Sequence, residues 1–470
     1  MKRRVGRNRK NLAQGLKPRQ FAPTSARLKS CPDTNPAQTD GGTAPLPLVE
    51  IEKPIYGGAF LARVDGKAVF VPLALPGETT RVRIVEEKRG YATAEVEEIV
   101  TPSPQRVEPA CQHFGACGGC QYQHAEYTAQ LDFKKAILRE TLERGGVHAP
   151  GEIAVLAAKP WAYRNRIRLA FDAQGRPGYR GRRSHDAVPI AECPIAAPLL
   201  VRAALTAGEI ARGSRAVLRP NEISLFCNAD ESALLASVVT TGGAKSGFED
   251  FARALKQRVP QLTGAELVSE GRAGQPPRKV AEWGASSLGY IVAGHAAGFG
   301  YRVDHGAFFQ VNRWLVDNLV ERVTNGQRGA IAWDLFAGVG LFARRLAESF
   351  ARVVTVESAP AAIDALKHNL NGTSATAVRA ATLKFLRRAR KNERPDLVVV
   401  DPPRTGLGAE TTALLGEISA PAITYASCDP ATLARDLRAL IGSGYAIESV
   451  TLADLFPQTF HLETVVRLRR

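Results

Sequence analysis

The sequence predicts an α/β protein with three folded parts, the last of which is a doubly wound, mostly parallel sheet. Three observations predict this. From Gly306 onward, short apolar segments alternate with helical patterns, as they do in βαβ units. Residues 46–102 instead contain short alternating runs separated by turn signals, and residues 103–300 mix both patterns. The chain of 470 residues is long enough for two or three domains, each with its own core.

Residues 1–45 are predicted to form a disordered basic tail. Residues 1–30 contain ten Lys or Arg and no acid, which accounts for +10 of the formal net charge of +16. Such a stretch cannot bury enough apolar surface to order itself. Two interpretations stay open, a solubilising tail and an electrostatic arm for the phosphate backbone of a nucleic acid.

The composition excludes several classes of protein. A hydrophobic content of 45% predicts a globular chain, and no apolar run approaches the roughly 18 to 20 residues of a membrane-spanning helix. The N-terminus carries charge but lacks the apolar segment of a secretory signal. Seven cysteines are too few for a disulfide scaffold of this length. We therefore expect a cytoplasmic protein without a membrane partner.

Residues 46–102 are predicted to form a small five-stranded, OB-like β-barrel. Turn signals at Gly57-Gly58, Asp65-Gly66 and Pro76-Gly77 separate alternating runs at 60–64, 68–71, 80–85 and 92–99. Small barrels of this kind often hold nucleic acid on one face, and a barrel that serves packing alone is the alternative.

Four cysteines form a second pattern. Cys111, Cys117 and Cys120 share one glycine-rich loop, and Cys193, which precedes a proline, follows after a gap of 72 residues. Four thiolates hold either a tetrahedral zinc ion or an iron–sulfur cluster. Because structural zinc sites usually come as two closely spaced pairs, this spacing favours an iron–sulfur (4Fe–4S) cluster over zinc. A helix is predicted to follow the loop at 125–144.

The C-terminal part is predicted to be a Rossmann-like, doubly wound sheet. Its expected strands at 331–335, 353–357, 397–401 and 422–426 alternate with helices that include 341–348 and 359–370. Strands of such a sheet run parallel and carry their ligands at the carboxyl ends.

A glycine turn follows the first of these strands. Asp334 lies four residues before Gly338, and Gly340 completes the pattern D-x-x-x-G-x-G. The glycines permit a tight turn and the close approach of a ligand, and Glu357 on the next strand can accept hydrogen bonds from ribose hydroxyls. The glycines alone fit NAD as well as S-adenosylmethionine. The position of Asp334 is common in methyltransferases and favours the second.

Two other strand ends carry side chains of catalytic types. Asp401 ends an apolar strand before a Pro-Pro turn, and Cys428 follows the strand at 422–426. Glu463 closes an apolar-framed segment 35 residues beyond Cys428. A thiol with a distant carboxylate is suited to covalent catalysis with proton abstraction. The alternatives are a structural turn at Asp401 and a buried structural cysteine beside a surface glutamate.

Together these motifs resemble the bacterial RNA uracil-5-methyltransferases, in the 23S ribosomal RNA branch that carries a TRAM domain and a 4Fe–4S cluster. The resemblance runs from residue 46 to residue 470. It implies a TRAM domain at 46–102, a central iron–sulfur domain at 103–300 and an S-adenosylmethionine-dependent methyltransferase domain at 301–470. It includes the run Phe308-Phe-Gln-Val-Asn312 and the motif Phe456-Pro-Gln-Thr-Phe-His-Leu-Glu463.

The resemblance also implies roles for individual residues. Cys428 matches the nucleophile and Glu463 the general base. The residues that match the cofactor-binding positions are Gln310, Phe336, Gly338, Gly340, Glu357 and Asp401. The residues that match the cluster ligands are Cys111, Cys117, Cys120 and Cys193. The family usually has asparagine after the nucleophile, whereas this chain has Asp429, which would alter the hydrogen bonds of that loop.

The expected function is methylation of C5 of a uridine in RNA, with 23S ribosomal RNA as the expected partner and a covalent adduct between Cys428 and uracil C6. Methylation of a transfer RNA uridine is the first alternative. Three others are a radical methylthiotransferase, an NAD-dependent oxidoreductase and a non-catalytic RNA-binding protein. The radical enzymes normally have C-x3-C-x2-C, which this chain lacks. We expect a monomer with no obligate protein partner.

Overall fold

The computed structural model describes residues 46–213, 218–241, 245–270, 277–293, 298–391 and 393–470. The predicted basic tail, 1–45, lies outside the described residues. Within them, no helix combines the length and the apolar character that crossing a membrane requires.

The N-terminal part is a six-stranded sheet with the strand order β1-β5-β6-β4-β3-β2. Three register shifts between its two longest strands bend them around a core that includes Phe60 and Val82. The sheet has six strands where five were predicted. The four alternating runs correspond to β3, β4, β5 and β6, whereas β1 and β2 are too short to show an alternating pattern. The strands are β1 (Leu48–Glu50), β2 (Lys53–Pro54), β3 (Ala59–Val64), β4 (Lys67–Pro72), β5 (Thr79–Glu87) and β6 (Tyr91–Thr101).

Helix α1 (Tyr127–Arg144) follows the cysteine loop and joins two cores. Its Phe133 packs into the core of the N-terminal sheet, whereas Ile137 and Leu138 pack against the C-terminal part. A charged residue, Lys134, occupies the same buried face. The helix therefore fixes the N-terminal sheet against the C-terminal one.

The central part is a seven-stranded sheet with the order β10-β9-β8-β11-β12-β13-β14 and two helices on one face. Helix α2 presents Ala203, Ala204 and Ala207 to the sheet, and these small side chains allow close packing. The elements are β8 (Arg166–Phe171), β9 (Pro177–Arg180), β10 (Ala187–Pro189), α2 (Pro198–Arg212), β11 (Glu222–Cys227), β12 (Leu234–Thr240), α3 (Phe248–Arg258), β13 (Leu262–Ser269) and β14 (Arg278–Gly284).

The C-terminal sheet has eight strands in the order β19-β18-β17-β20-β21-β23-β22-β7, and its first five run parallel. A separate hairpin, β15 (Ser287–Val292) and β16 (Phe299–Asp304), packs on it. The elements are β7 (Ala154–Leu156), α4 (Val316–Thr324), β17 (Gly329–Leu335), α5 (Leu341–Leu346), β18 (Phe350–Glu357), α6 (Pro360–Leu370), β19 (Ala375–Arg379), α7 (Thr382–Ala389), β20 (Leu397–Val400), α8 (Ala409–Ile418), β21 (Ala422–Ser427), α9 (Pro430–Gly442), β22 (Ala446–Ala453) and β23 (Glu463–Arg469).

This sheet differs from the predicted one at one end. Strand β23 runs antiparallel to both β21 and β22, and β7, from the stretch between α1 and the central sheet, adds a further strand beside β22. The sequence pattern did not predict this end because pairing direction depends on how the connecting loop folds, which strand composition does not specify.

Candidate active site

Cys428 lies at the carboxyl end of β21, as predicted, and its loop is fixed by the next residue. Asp429 is the N-terminal cap of α9: its Oδ1 accepts hydrogen bonds from the N–H groups of Ala431 (3.1 Å) and Thr432 (2.9 Å). A carboxylate suits this position because it also interacts favourably with the helix dipole. Asp429, which stands where the family resemblance leads one to expect asparagine, therefore serves as a helix cap.

The register of the last strand brings Glu463 to the same edge. Strands β21 and β23 are antiparallel and pair Ser427 with Thr464, so the next residues outward, Cys428 and Glu463, face each other at the strand ends. Glu463 also pairs with Ala453 of β22. The structure therefore brings the thiol and the carboxyl together although 35 residues separate them.

Burial governs the charge of both groups. Burial, followed by the negative charges of Glu463 and Asp401, raises the pKa of the Cys428 thiol to about 12, and the positive charge of Arg404 offsets part of this rise. Burial, followed by the charge of Asp401, holds the pKa of Glu463 well above its usual range. A carboxylate in this state is a stronger base than one exposed to solvent. The free protein thus keeps the thiol protonated at pH 7.

Two further carboxyl groups line the ligand edge of the sheet. Burial raises the pKa of Asp401 to about 7, and burial together with the charge of Asp401 holds that of Asp334 well above its usual range. The N–H of Ala343 offsets part of this effect on Asp334. Neither of its carboxylate oxygens, however, has a partner with good hydrogen-bond geometry in the described part of the chain. A cationic ligand bound beside these carboxyl groups would offset their mutual repulsion and favour their ionised forms.

The glycine turn between β17 and α5 has the shape that the sequence predicts. The N–H of Gly338 donates to Oε2 of Glu357 at 2.9 Å, and a Cβ on Gly338 would meet open space. At Gly340, where φ is +88°, a Cβ would lie 2.8 Å from Leu366. Phe336 also has a positive φ, +68°, so its side chain leaves the strand in an unusual direction. The turn therefore leaves room for a ligand over Gly338.

Glu357 adjoins this turn, and Gln310, the other polar residue predicted to bind the cofactor, lies between β16 and α4. Oε1 of Glu357 accepts hydrogen bonds from the N–H groups of Ser358 (2.6 Å) and Ala359 (2.5 Å), and a carboxylate retains capacity for a ribose hydroxyl. Gln310 is buried, and its main-chain carbonyl accepts a hydrogen bond from the side-chain NH2 group of Asn165 at 2.9 Å. These contacts hold the carboxylate of Glu357 and the main chain at Gln310 in place.

The segment 454–462, here named the base loop, connects β22 to Glu463 and is held by buried hydrogen bonds from α1. Asp454 accepts from Lys134 at 2.5 Å and from Tyr127 at 2.8 Å, and Lys134 also donates to the carbonyl of Phe456 at 2.9 Å. The side-chain NH2 group of Gln130 donates to Oε1 of Gln458, and the main-chain N–H of Gln458 donates to Oε1 of Gln130. The segment that leads into Glu463 is thereby held in place by a helix that is distant in the sequence.

Sequence reasoning missed Lys134, although one signal was present. In the predicted helix it stands between Phe133 and Ile137, on the apolar face where a lysine is out of place. Arg404, which favours the thiolate of Cys428, was also missed as a site residue, because an arginine in a Pro-Pro turn has no distinctive signal.

Replacing Lys134 with methionine should lower the free energy of unfolding by about 3–5 kcal/mol, because it leaves the buried Asp454 carboxylate without its charge partner. The matched control is Lys135→Met on the same helix, since Lys135 pairs at the surface with Asp132. Denaturant unfolding measures both. Equal denaturant midpoints for the two variants would contradict a stabilising role for the buried ion pair between Lys134 and Asp454.

The four predicted ligand cysteines line one cavity of about 100 Å³. Arg164 and Tyr179 share it, and the Tyr179 hydroxyl lies 3.7 Å from Sγ of Cys193. Burial raises the pKa of Cys111 and Cys117, and that of Cys120 to about 12. Within the described ranges, no three or more His, Cys, Asp or Glu side chains have the arrangement of a metal-ion site. The structure thus gathers the four thiols without showing a metal centre.

A doubly wound sheet, a glycine turn after its first strand and buried acids at its ligand edge define a methyltransferase that uses S-adenosylmethionine. The chain belongs to the RNA uracil-5-methyltransferase family. The family model described as tRNA (Uracil-5-)-methyltransferase matches residues 291–470, and the TRAM domain model matches residues 48–96. The predicted family, its enzymatic class and its N-terminal TRAM domain are confirmed.

Full-length relatives agree with this assignment. The chain is 33% identical to an uncharacterized RNA methyltransferase of Streptomyces avermitilis, over 89% of this chain and 97% of the relative. It is 32% identical to the 23S rRNA (uracil(1939)-C(5))-methyltransferase RlmD of Halomonas elongata, over 88% of this chain and 87% of that relative. Among solved structures, the Pyrococcus abyssi tRNA (uracil-54, C5)-methyltransferase in complex with S-adenosyl-L-homocysteine matches with a TM-score of 0.72 and 25% identity, over 90% of this chain and 100% of that one.

Proposed function

We propose that this enzyme methylates C5 of a uridine in 23S ribosomal RNA through a covalent adduct between Cys428 and C6 of the base. The observation that carries the proposal is the strand register that places Cys428 opposite Glu463, beside the acid-lined edge of the sheet. The 23S target is supported by the relatives in Halomonas elongata and Chromohalobacter salexigens, both named 23S rRNA (uracil(1939)-C(5))-methyltransferase.

Cys428 activates the uracil ring. The C5 carbon of uracil is too weak a nucleophile to attack a methyl group unaided. The Cys428 thiol gives its proton to solvent water, its sulfur bonds to C6, and the π electron pair of the C5–C6 bond moves toward C5 and O4. This step divides one difficult reaction into easier ones. Arg404 favours it because its positive charge stabilises the thiolate.

The buried acids and the glycine turn would hold S-adenosylmethionine, which supplies the methyl group that C5 receives. Asp334 and Asp401 suit its cationic groups, since their raised pKa values reflect carboxyl groups buried close together. Glu357 would bind the ribose hydroxyls, and the family resemblance assigns cofactor contacts to Gln310 and Phe336 as well.

Glu463 then completes the reaction. Its carboxylate removes the proton from C5, the electron pair of that C–H bond re-forms the C5–C6 double bond, and the bond from C6 to sulfur breaks with its pair returning to Cys428. The raised pKa of Glu463 makes it a stronger base than a solvent-exposed carboxylate. The uridine must leave its stack to reach this site, at a cost of a few kcal/mol.

We further propose that Cys111, Cys117, Cys120 and Cys193 together hold a 4Fe–4S cluster. The shared cavity supports this, and so does the sequence spacing of the cysteines, since structural zinc sites usually come as two closely spaced pairs. The methylation involves no redox step, so the cysteines have a structural role in this account.

Anaerobically purified wild-type protein should contain about four irons per chain, and Cys120→Ser should lose most of them. Cys227→Ala is the control, because Cys227 is buried in the core of the central sheet and does not line the cavity. Iron analysis and the visible absorption of the cluster measure the effect. Iron that persists in Cys120→Ser, or wild-type protein that never acquires iron, would refute the assignment.

Transfer RNA is the second candidate target, because the structural relative from Pyrococcus abyssi is named for uracil 54 of transfer RNA. Deleting the gene and mapping 5-methyluridine in both RNA classes separates the two. We expect one 5-methyluridine to disappear from 23S ribosomal RNA. Loss from transfer RNA alone would establish the alternative, and unchanged RNA in both classes would contradict the proposal.

A further inference from the structure

One turn of the TRAM domain reaches the methyltransferase site. Strands β2 and β3 are joined by Tyr56-Gly57-Gly58, in which both glycines have positive φ, +107° and +88°. A Cβ on Gly58 would lie 2.8 Å from the side chain of Gln121 and 3.2 Å from the ring of Phe460. At Gly58 the turn is therefore packed tightly between Gln121, which follows the cysteine loop, and Phe460 of the base loop.

A salt bridge holds this turn against α1. Nζ of Lys53, just before the turn, lies 2.8 Å from Glu140. Directly after the cysteine loop, the N–H groups of Gln121 and Tyr122 both donate to the main-chain carbonyl of Gln458 in the base loop at 3.0 Å. The turn, the cysteine loop and the base loop thus form one packed junction.

The side chain of Tyr56 contacts both catalytic segments. Its hydroxyl donates to Oδ2 of Asp429 at 3.4 Å, and Asp429 directly follows Cys428. Its ring packs edge-on against Phe460 of the base loop, with the ring centres 5.7 Å apart. Because Oδ1 of Asp429 already caps α9, Tyr56 takes the remaining oxygen of the residue that anchors the nucleophile.

We propose that Tyr56 is a positioning residue for methyl transfer, which holds the Cys428 loop and the base loop at a fixed separation from the TRAM domain. The inference rests on the proposed roles of Cys428 and Glu463. It gives the TRAM domain a part in the chemical step in addition to any part in RNA binding.

The electrostatic surroundings of Tyr56 suit a permanent donor. The groups that face it are Asp429, Cys428 and Arg404, and burial, ahead of the charge of Asp429, raises the pKa of its hydroxyl to about 12. The hydroxyl therefore stays protonated across the working pH range and continues to donate to Asp429.

The test is Tyr56→Phe, which keeps the ring against Phe460 and removes only the donor. We expect kcat to fall about fivefold, the factor that corresponds to one hydrogen bond of about 1 kcal/mol, while the KM for RNA changes by less than about twofold. Adduct formation with RNA that contains 5-fluorouridine should slow by the same factor. Tyr91→Phe is the matched control, since Tyr91 packs on Phe70 within the same sheet.

Asp429→Asn provides the second arm of a double-mutant cycle. Asparagine keeps the capping oxygen but presents an NH2 group, which cannot accept a hydrogen bond, where Oδ2 faced Tyr56, so the effect of Tyr56→Phe on kcat should shrink in that background. Full additivity would overturn the proposal, as would a wild-type kcat in Tyr56→Phe or an effect confined to KM. The proposed function fails separately: it is contradicted by turnover in Cys428→Ala, whatever Tyr56→Phe shows.

Discussion

Replacing Cys428 with alanine should lower the single-turnover rate of methyl transfer by a factor on the order of 10⁴ or more, as removal of a covalent nucleophile does in other enzymes. The reason is specific to the acceptor: without the bond from sulfur to C6, C5 does not acquire the electron density that attacks a methyl group. Transfer of a labelled methyl group from S-adenosylmethionine to RNA measures the effect.

The variant should still fold and bind its cofactor, because Cys428 sits in a loop whose shape depends on the cap at Asp429. Thermal unfolding and calorimetric binding of S-adenosylhomocysteine check this. Cys227→Ala is the control, since it removes a buried thiol in the central sheet and should leave the rate unchanged. Appreciable turnover by a folded Cys428→Ala protein would refute the covalent route.

Replacing Glu463 with glutamine should have a different outcome. The adduct should form and accept the methyl group, but loss of the base leaves the C5 proton in place, so turnover should fall by about 10²–10⁴ and an RNA–protein complex should accumulate. Denaturing electrophoresis detects this complex, and mass spectrometry of the released nucleoside shows whether it is methylated.

The matched control for Glu463 is Glu448→Gln, on the neighbouring strand β22, where Glu448 pairs with Arg469 at the surface. We expect normal turnover and no trapped complex from it. Wild-type turnover in Glu463→Gln would assign the base to another group, and Asp401, whose charge acts on both Cys428 and Glu463, would be the next residue to test.

The sequence predicted most of the cofactor side of the site. Asp334, the glycine turn, Glu357 and Asp401 lie at the carboxyl ends of parallel strands, and these ends share one edge of the sheet whatever the loops do. Apolar segments that alternate with helices were enough to predict that edge. Cys428 could be placed there for the same reason.

The position of Glu463 could not be derived from the pattern, and only the family resemblance indicated its role. Its approach to Cys428 depends on β23 running antiparallel to β21 in one register, and a shift of one residue would turn its side chain to the opposite face. That register is fixed by the base loop and by Lys134 on α1, whose partners are some 320 residues away. Tyr56 was missed for the same reason, because its contacts cross between domains.

The most direct test of the central claim is to incubate the enzyme with S-adenosylmethionine and RNA that contains 5-fluorouridine, whose C5 fluorine cannot leave as a proton does. Protease and nuclease digestion followed by mass spectrometry then locates the modified residue. The account predicts a methylated 5-fluorouridine attached to Cys428 and to no other cysteine. A trapped nucleotide on another residue, or methylation of ordinary RNA by enzyme that never forms an adduct with the fluorinated one, would contradict it.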